Sequence, residues 1–414
     1  MRTNKLIIAS FSVFMLMACN RDGCTDQSAI NYDSKAKNDD GSCVFDDTPG
    51  GGTTGPGGQT LPIKLTGNVS DVTTIKDIST DPNVIEYYID GAWNIDAAVV
   101  IEAGVRIEMR SGARILVKAN GSLNATGTPS NKINIAGSQN TSGYWYNIEF
   151  NSNNPNNKLI YCNISNGSKY YGSEPGMIIV SDNSQATIQN SSFSKGSDFG
   201  LMTKGENAKL PDFHSNHFSS FTKAPIRLAS LSHSSYLDNN TILASDNTIQ
   251  SVYVYGEDVN SNTTVPKMNF PYSIRERITF YNSQTVVQEG VEIQMAADTR
   301  FKVTSNASLE FSGTAANPCK VIGEQSSKGF WYDVSIDSNN PNNKFSHTSF
   351  SGGRNYYGSE TGFIRLNGTA SLSMNNCDIS NSPTEAIQGP ASVTFNDNGG
   401  NSWTNCDGGG GLLP

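Results

Sequence analysis

Apolar and polar residues alternate over short stretches through most of the chain. Val105, Ile107 and Met109 are separated by single polar residues, and Ile133 and Ile135 repeat this pattern. A two-residue period predicts strands with one apolar face, and no stretch keeps the 3.6-residue period of an amphipathic helix. Gly, Asn and Ser occupy the breaks, where turns often need a positive φ. The pattern therefore predicts an all-β fold made of many short strands.

The chain contains an internal repeat. Segments Gly143–Gly176 and Gly329–Gly362 align without a gap at an offset of 186 residues, and 18 of the 34 aligned positions are identical. Self-similarity at a fixed offset is the signature of a duplicated structural unit. We therefore expect two tandem homologous copies, at residues 87–270 and 271–414.

Short strands with polar corners occur in sandwiches, propellers and β-helices. Signals for the tight hairpins that join antiparallel strands are scarce in this sequence. In a β-helix each coil stacks on the next, and every strand finds a parallel partner one coil away. The sequence therefore predicts a parallel β-helix (a solenoid), with residues 61–86 as an N-terminal cap over its open end.

Three short motifs in each copy resemble the opening coils of right-handed parallel β-helix surface lipoproteins of Bacteroidota, which have a pectate-lyase-like fold. The motifs are Glu102–Val105, Gly121–Leu123 and Gly127–Ile133 in the first copy, and Glu289–Val291, Ala307–Leu309 and Gly313–Cys319 in the second. The resemblance covers most of residues 87–403 and implies right-handed coils. It implies little about activity, because this fold hosts many functions.

The N-terminus predicts export. Basic Arg2 and Lys5 precede an apolar stretch, residues 6–18, that is shorter than the roughly 20 residues needed to span a bilayer. The ending Leu16–Cys19 resembles a bacterial lipobox, which implies a signal peptide over residues 1–18 and lipidation of Cys19. Several acyl chains would form a stable membrane anchor. We therefore expect an outer-membrane lipoprotein exposed at the cell surface, and a plain cleaved signal is the alternative.

A cysteine-bounded acidic module, residues 19–45, follows the signal. Outside the cytoplasm Cys24 and Cys43 are expected to form a disulfide. The segment is loosely similar to thrombospondin type 3 repeats. Residues 46–60 are rich in Gly, Pro and Thr and predict a flexible linker. Four acidic residues of the module could supply oxygen ligands for Ca²⁺ as a cofactor: Asp26, Asp33, Asp39 and Asp40. Their spacing is not that of an EF-hand loop, and an acidic, solvated loop closed by the disulfide is the other interpretation.

Composition and charge exclude several classes of protein. Hydrophobic residues make up 36% of the chain and charged residues 16%, which does not fit a coiled coil or helical bundle. The formal net charge of −9 and the lack of a basic stripe argue against nucleic-acid binding. We expect a monomer that contacts the membrane through its lipid anchor alone.

No catalytic residue is predicted from the sequence. Glycoside hydrolases need two carboxyl groups, one to protonate the leaving oxygen and one to attack or to activate water. Adjacent Asp residues occur at 39–40 and 46–47, outside the β-helix body. A site assembled across coils is still compatible with the sequence, so a polysaccharide lyase or glycoside hydrolase is the alternative function. His214 and His217, three residues apart on one expected strand, would face opposite sides and not share a metal.

Four cysteines lie in the body: Cys162, Cys319, Cys377 and Cys406. Their spacings do not match metal sites, and packing inside the coils is the expected role. A disulfide between Cys377 and Cys406 across neighbouring coils is the alternative.

A duplicated loop is the main candidate for ligand binding. Tyrosine pairs beside a carboxylate suit sugars, because rings stack on pyranose faces while oxygens bond to hydroxyl groups. In the alternative, the tyrosines pack over a corner, as Trp145 and Trp331 are expected to do. Two like sites would gain avidity on a polymer, so we predict a non-catalytic protein that binds polysaccharide or a cell-surface glycan, or mediates adhesion. The candidate residues are Tyr170, Tyr171, Glu174, Tyr356, Tyr357 and Glu360.

Overall fold

A computed structural model describes residues 21–25, 31–40, 42, 60–169, 175–256, 258–304, 306–354, 356, 361–410 and 412. The chain divides into two compact units, residues 1–64 and 65–414. The predicted signal peptide, Cys19 and most of the predicted linker lie outside the described residues. In the described part of the chain, no helix is long and apolar enough to cross a membrane.

The first unit contains a small parallel pair of strands, β1 Arg21–Gly23 and β2 Ala36–Asp39. Cys24 is buried and disulfide-bonded, while its expected partner Cys43 lies outside the described residues. Asp33 forms an ion pair with Arg21, with 3.1 Å between Oδ2 and Nε. Hydrogen bonds from Ser42 lower the pKa of Asp40. Asp26 is not described, so Ca²⁺ binding by this module stays a prediction.

The remaining elements are strands and one 3-10 helix. The first strands are β3 Ile63–Val69, β4 Thr73–Ile75, β5 Tyr87–Ile95, β6 Ala98–Ile101, β7 Arg106–Met109, β8 Arg114–Val117, β9 Ser122–Thr126, β10 Ile133–Gly137, β11 Ile148–Phe150, β12 Lys158–Ile160 and β13 Cys162–Ser165. They are followed by β14 Gly176–Val180, β15 Thr187–Gln189, β16 Ser192–Ser194, β17 Phe199–Thr203, β18 Phe213–His214, β19 His217–Ser219, β20 Ile226–Leu228, the 3-10 helix Leu231–Tyr236, β21 Ile242–Leu243, β22 Val252–Val254, β23 Asp258–Val259 and β24 Thr263–Val265. The last are β25 Tyr272–Ile274, β26 Ile278–Tyr281, β27 Gln284–Val287, β28 Glu292–Met295, β29 Phe301–Thr304, β30 Ser308–Ser312, β31 Cys319–Gly323, β32 Val334–Ile336, β33 Lys344–Ser346, β34 Thr348–Ser351, β35 Ile364–Leu366, β36 Ser371–Asn375, β37 Asp378–Ser382, β38 Ile387–Gln388, β39 Thr394–Asp397 and β40 Ser402–Cys406.

The strands stack into parallel ladders that form three faces of a β-solenoid, which confirms the predicted fold class. In the N-terminal half, the first face runs β5, β7, β10, β13, β16, β19, β21 and the second runs β5, β8, β11, β14, β17, β20, β22. The third face is β4, β6, β9, β12, β15, β18. In the C-terminal half, the first face runs from β25 through β28, β31, β34 and β37 to β40. The second face runs from β23 to β38, and the third face runs from β24 to β39.

Apolar side chains point into the coils and stack along the rod. On the first face, Ile107, Ile135, Ile164, Phe193 and Phe218 occupy successive rungs, and each is at most 1% exposed. The rings of Phe193 and Phe218 stack at 4.8 Å between centroids. Each buried side chain of this size contributes about 1.5–3 kcal/mol of transfer free energy. The two-residue period of the sequence therefore supplies the core.

Buried asparagines tie neighbouring coils together at the corners. Oδ1 of Asn157 accepts a hydrogen bond from the backbone N–H of Leu123 (3.2 Å), and its Nδ2 donates to the carbonyls of Ser152 and Gln185. Asn343 bridges coils in the same way in the C-terminal half. These bonds satisfy backbone groups that a sharp corner would leave buried and unpaired.

Residues 61–86, the predicted cap, add strands to the ladders, since β4 pairs with β6. Glu86 is fully buried at the end of this segment. Its carboxylate accepts hydrogen bonds from the backbone N–H groups of Ile78 (2.6 Å), Ser79 (3.0 Å) and Arg106 (2.8 Å). One buried carboxylate therefore holds the first turns against the coil above.

The ladders change face where the two halves of the solenoid meet. Strand β22 belongs to the second face of the N-terminal half, yet it pairs with β25, which starts the first face of the C-terminal half. Strands that match in the repeat, such as β11 and β32, therefore stack on different sides of the rod. A ladder of seven steps joins β14 to β34 through β17, β20, β22, β25, β28 and β31. At about 4.8 Å per step, this separates β14 from β34 by roughly 34 Å along the rod.

The four body cysteines are free thiols. Cys162, Cys319 and Cys377 are buried, which confirms the packing role that the sequence favours. Burial raises the pKa of Cys162 to about 12 and that of Cys377 to about 11. Cys406 is only half-buried, and the alternative disulfide with Cys377 is not formed.

His233 predicts a pH dependence of stability. It is 2% exposed, its Nδ1 lies 2.9 Å from Thr203 Oγ1, and its Nε2 lies 2.9 Å from the carbonyl oxygen of Glu206. Burial lowers its pKa, so the folded chain holds the neutral ring while the unfolded chain takes up a proton below about pH 6.5. Because the unfolded state then binds more protons, stability falls as pH drops.

We expect His233 to lower the free energy of unfolding by on the order of 1 kcal/mol between pH 7 and pH 5. Urea unfolding of wild type and His233→Gln at both pH values measures this. The variant should lose that part of the pH dependence, and His214→Gln, a change at a more exposed ring, should keep it. An equal pH dependence in His233→Gln and wild type would refute the prediction.

Candidate functional site

In the sequence, the duplicated loops follow β13 in one half and β34 in the other. Five of the six predicted ligand-binding residues lie outside the described residues: Tyr170, Tyr171, Glu174, Tyr357 and Glu360. The structure describes the sixth, Tyr356.

Both tryptophans beside these loops are packing residues. Trp331 is fully buried, its Nε1 donates a hydrogen bond to the carbonyl of Ser351 (2.9 Å), and its ring meets the edge of Phe363 at 5.0 Å. Trp145 is also fully buried and donates to the carbonyl of Ser165 (2.8 Å). Neither ring is open to a ligand, so the packing role expected from the sequence is confirmed.

Tyr356 is held by a cluster of arginines and a second tyrosine. Its ring meets that of Tyr332 edge-on at 4.7 Å, and the guanidinium carbons of Arg277 and Arg300 lie 4.9 and 4.6 Å from its centroid. Arg277 Nη1 donates a 2.8 Å hydrogen bond to the Tyr356 hydroxyl. Arg354 lies 5.0 Å from the Tyr332 centroid. This packing fits the alternative for Tyr356, in which the ring supports the corner and its faces are occupied by guanidinium groups.

A buried charge triad lies under this cluster. Asp333 is fully buried, with Oδ1 3.0 Å from Arg300 Nε and Oδ2 3.6 Å from Arg365 Nε. Neither ion-pair contact with a guanidinium group meets hydrogen-bond geometry. Burial raises the pKa of Asp333, and the two guanidinium groups oppose that rise. The triad fixes Arg300 in place beneath Tyr356.

A cavity of about 370 Å³ opens beside Tyr356 on the second face of the C-terminal half. We name it the tyrosine–arginine groove. Tyr281 presents a ring that is 38% exposed, the most open aromatic side chain of the groove. A neighbouring cavity of about 280 Å³ shares Arg277 and is also lined by Glu276 and Asp298. The groove is lined by Asp258, Arg277, Tyr281, Arg300, Lys302 and Tyr356.

Sequence reasoning missed all of these residues except Tyr356. Asp258 and Tyr356 are almost a hundred positions apart, and coil stacking alone brings them to one groove. Comparing the two copies would have given a signal for the charges beneath the groove. At the 186-residue offset, the positions of Asp333 and Arg365 are occupied by Asn147 and Ile179 in the first copy. These two buried charges, which the first copy lacks, distinguish the C-terminal corner from its N-terminal counterpart.

His214 and His217, which were not expected to share a metal, lie on different strands. His214 ends β18 on the third face and His217 begins β19 on the first, so the expectation of one shared strand is wrong. A turn at Ser215, with φ of 55°, separates the two strands. Within the described ranges, no group of three or more His, Cys, Asp or Glu side chains is placed to hold a metal ion.

Comparisons with known proteins give little beyond the fold. No family model matches the chain, and no curated protein matches its sequence. Two similar solved structures are variants of the catalytic domain of GH87 alpha-1,3-glucanase in complex with tetrasaccharides. One is 14% identical, with 87% of this chain and 71% of that chain covered and a TM-score of 0.20. The other is 13% identical, with 78% of this chain and 65% of that chain covered and a TM-score of 0.21. At these TM-scores, neither likeness bears on function.

Proposed function

We propose that this chain is a lipid-anchored cell-surface protein that binds polysaccharide, or a cell-surface glycan, without cleaving it. The observation that carries the proposal is the tyrosine–arginine groove. It combines the exposed ring of Tyr281 with Arg277, Lys302 and Asp258 in an open cavity of about 370 Å³. An aromatic surface with a few polar groups is what orients a sugar, since the ring takes the apolar face and the polar groups take the hydroxyls.

The shape of the rod supports a polymeric ligand. A solenoid presents a long side surface on which an extended chain can lie. Strands β13 and β34, which precede the two duplicated loops in the sequence, belong to different ladders of the rod, so we do not expect one straight polymer to contact both loops. We therefore propose a single binding site in the C-terminal half, without the avidity that two like loops would give.

The carboxyl groups of the groove favour binding over hydrolysis. Asp258 is the one carboxylate that lines it in the described part of the chain. A glycoside hydrolase needs a second carboxyl group across the scissile bond. A polysaccharide lyase or hydrolase is the second candidate, because Glu276 and Asp298 both line the neighbouring cavity. However, Asp298 is engaged by Arg354, with 2.8 Å between Oδ1 and Nη2.

Affinity electrophoresis of the full mature chain in gels that contain neutral or acidic polysaccharides tests binding. Tyr281→Ala should weaken retention roughly five- to tenfold, because it removes the exposed stacking surface. Tyr32→Ala is the matched control, since Tyr32 is 40% exposed and lies in the first unit. Retention by none of the polysaccharides, or equal retention of Tyr281→Ala and wild type, would contradict the proposal.

Incubation with the same polysaccharides separates the two candidate functions. New reducing or unsaturated ends that disappear in Glu276→Gln would establish an enzyme. Retention without new ends supports the non-catalytic role.

A further inference from the structure

The lining of the tyrosine–arginine groove is rich in positive charge. Among the described residues, Arg277, Arg300 and Lys302 line it together with a single carboxylate, that of Asp258. The charge of Arg300 is balanced from below by buried Asp333. Arg277 and Lys302 therefore set the electrostatic character of the open part of the groove, although the whole chain carries a formal net charge of −9.

Arg277 is exposed, and it has no carboxylate partner among the residues that the structure describes. It is nevertheless held in place. Its Nη1 donates to the Tyr356 hydroxyl, its Nε donates to the carbonyl of Asp298 (3.3 Å), and its guanidinium carbon lies 5.4 Å from the Tyr332 centroid. A guanidinium that is already ordered loses little entropy when it binds a carboxylate.

Lys302 lies beside Arg277 on the second face. It pairs across the ladder with Thr279, two residues along the chain from Arg277. Its Nζ lies 3.4 Å from Asp337 Oδ2, and both side chains are more than 30% exposed. An exposed pair of this kind is weak, so a carboxylate of a ligand can compete for the ammonium group.

The equivalent corner of the N-terminal half lacks these charges. Ile278 pairs with Phe301 in the C-terminal half, and Trp93 pairs with Ile115 at the equivalent place in the N-terminal half. Ala92 therefore occupies the position of Arg277, and Leu116 occupies that of Lys302. The same coil geometry therefore forms with an apolar residue at each position. If Arg277 and Lys302 had a purely structural role, we would expect cations at the equivalent positions of the N-terminal half as well.

We infer that the tyrosine–arginine groove binds a carboxylated polysaccharide, with Arg277 and Lys302 holding its carboxylates. Tyr281 supplies the stacking surface, and Asp258 accepts hydrogen bonds from hydroxyl groups at the other end of the groove. This inference rests on the proposed glycan-binding function and adds the chemical class of the ligand.

Two pairs of polymers test the class, because each pair shares a backbone and differs in charge. They are alginate with its propylene glycol ester, and carboxymethylcellulose with hydroxyethylcellulose. We expect the full mature chain to be retained by at least one acidic polymer and less by its uncharged counterpart, with retention weakened by 0.5 M NaCl, a concentration roughly threefold above physiological ionic strength. The double variant Arg277→Gln, Lys302→Gln should weaken retention about tenfold or more.

Lys209→Gln is the matched control, because Lys209 lines an asparagine-rich cavity of about 290 Å³ in the N-terminal half. It removes a positive charge without touching the groove and should leave retention unchanged. Equal retention by charged and uncharged members of both pairs, retention by neutral polymers alone, or an unaffected double variant would overturn the inference and leave glycan binding intact. Retention by no polysaccharide at all would overturn the proposed function itself.

Discussion

Replacing Asp333 with Asn is expected to lower the free energy of unfolding by about 3–5 kcal/mol. Within the described ranges, Asp333 is the one negative charge that pairs with both Arg300 and Arg365, and all three side chains are at most 8% exposed. The amide keeps the shape of the carboxylate and removes its charge. Both buried guanidinium groups then lose the charge that Asp333 supplies, where water cannot replace it.

Urea unfolding, followed by tryptophan fluorescence, measures this loss. Asn147→Leu is the matched control, since Asn147 occupies the equivalent position in the N-terminal half. It is fully buried, and neither atom of its side-chain amide has a hydrogen-bond partner within the described ranges. Its replacement removes no bond and should cost nothing, because an unsatisfied buried amide is itself unfavourable.

A triple variant tests the physical reason for the effect. Arg300→Met, Asp333→Leu and Arg365→Ile together replace the triad by apolar residues, and Ile179 already stands at the position equivalent to Arg365. Such replacements are often neutral or stabilising, so the triple variant should recover most of the lost stability. If Asp333→Asn and wild type unfold with the same midpoint urea concentration, the triad does not act as a unit.

Replacing Trp331 with Ala should cost about 3–5 kcal/mol. The indole is fully buried, contacts Phe363 edge-on at 5.0 Å, and donates to the carbonyl of Ser351. The corner has little freedom to collapse into the space left behind. A Cβ atom at Gly353 would lie 1.8 Å from the Phe363 ring, so the backbone there already packs against the aromatic side chain.

Urea unfolding of Trp331→Ala and of the equivalent Trp145→Ala should show similar losses. Trp403→Ala, a change at a half-buried residue in the last coil, should cost less. The same variants also separate packing from ligand contact. If Trp331→Ala keeps wild-type stability but loses retention on polysaccharide, the indole contacts the ligand and the packing role is wrong.

Several features of this protein follow from the sequence because they are local. The two-residue alternation in Val105–Met109 specifies which side chains point inward, and the polar breaks specify corners. The scarcity of hairpin signals leaves parallel stacking between coils as the way to pair the strands. Together these patterns predict the β-solenoid and the burial of Cys162, Cys319 and Cys377 without any knowledge of contacts.

The candidate site followed from the sequence only in part. Tyr356 stands out because the loop is duplicated, but the pattern does not reveal that its ring packs between Arg277 and Arg300. Those contacts depend on which residues face each other across coils. Thr279 pairs with Lys302 at a separation of 23 residues, while Ile135 pairs with Ile164 at a separation of 29.

The sequence by itself determined the strand period, the duplication and the inward core. Only the tertiary structure decided the face change between β22 and β25 and the gathering of Asp258, Tyr281 and Lys302 into one groove. The physical reason is that corner lengths vary from coil to coil. Alternation along a strand is fixed by backbone geometry, but the rung on which a side chain lies depends on every corner before it.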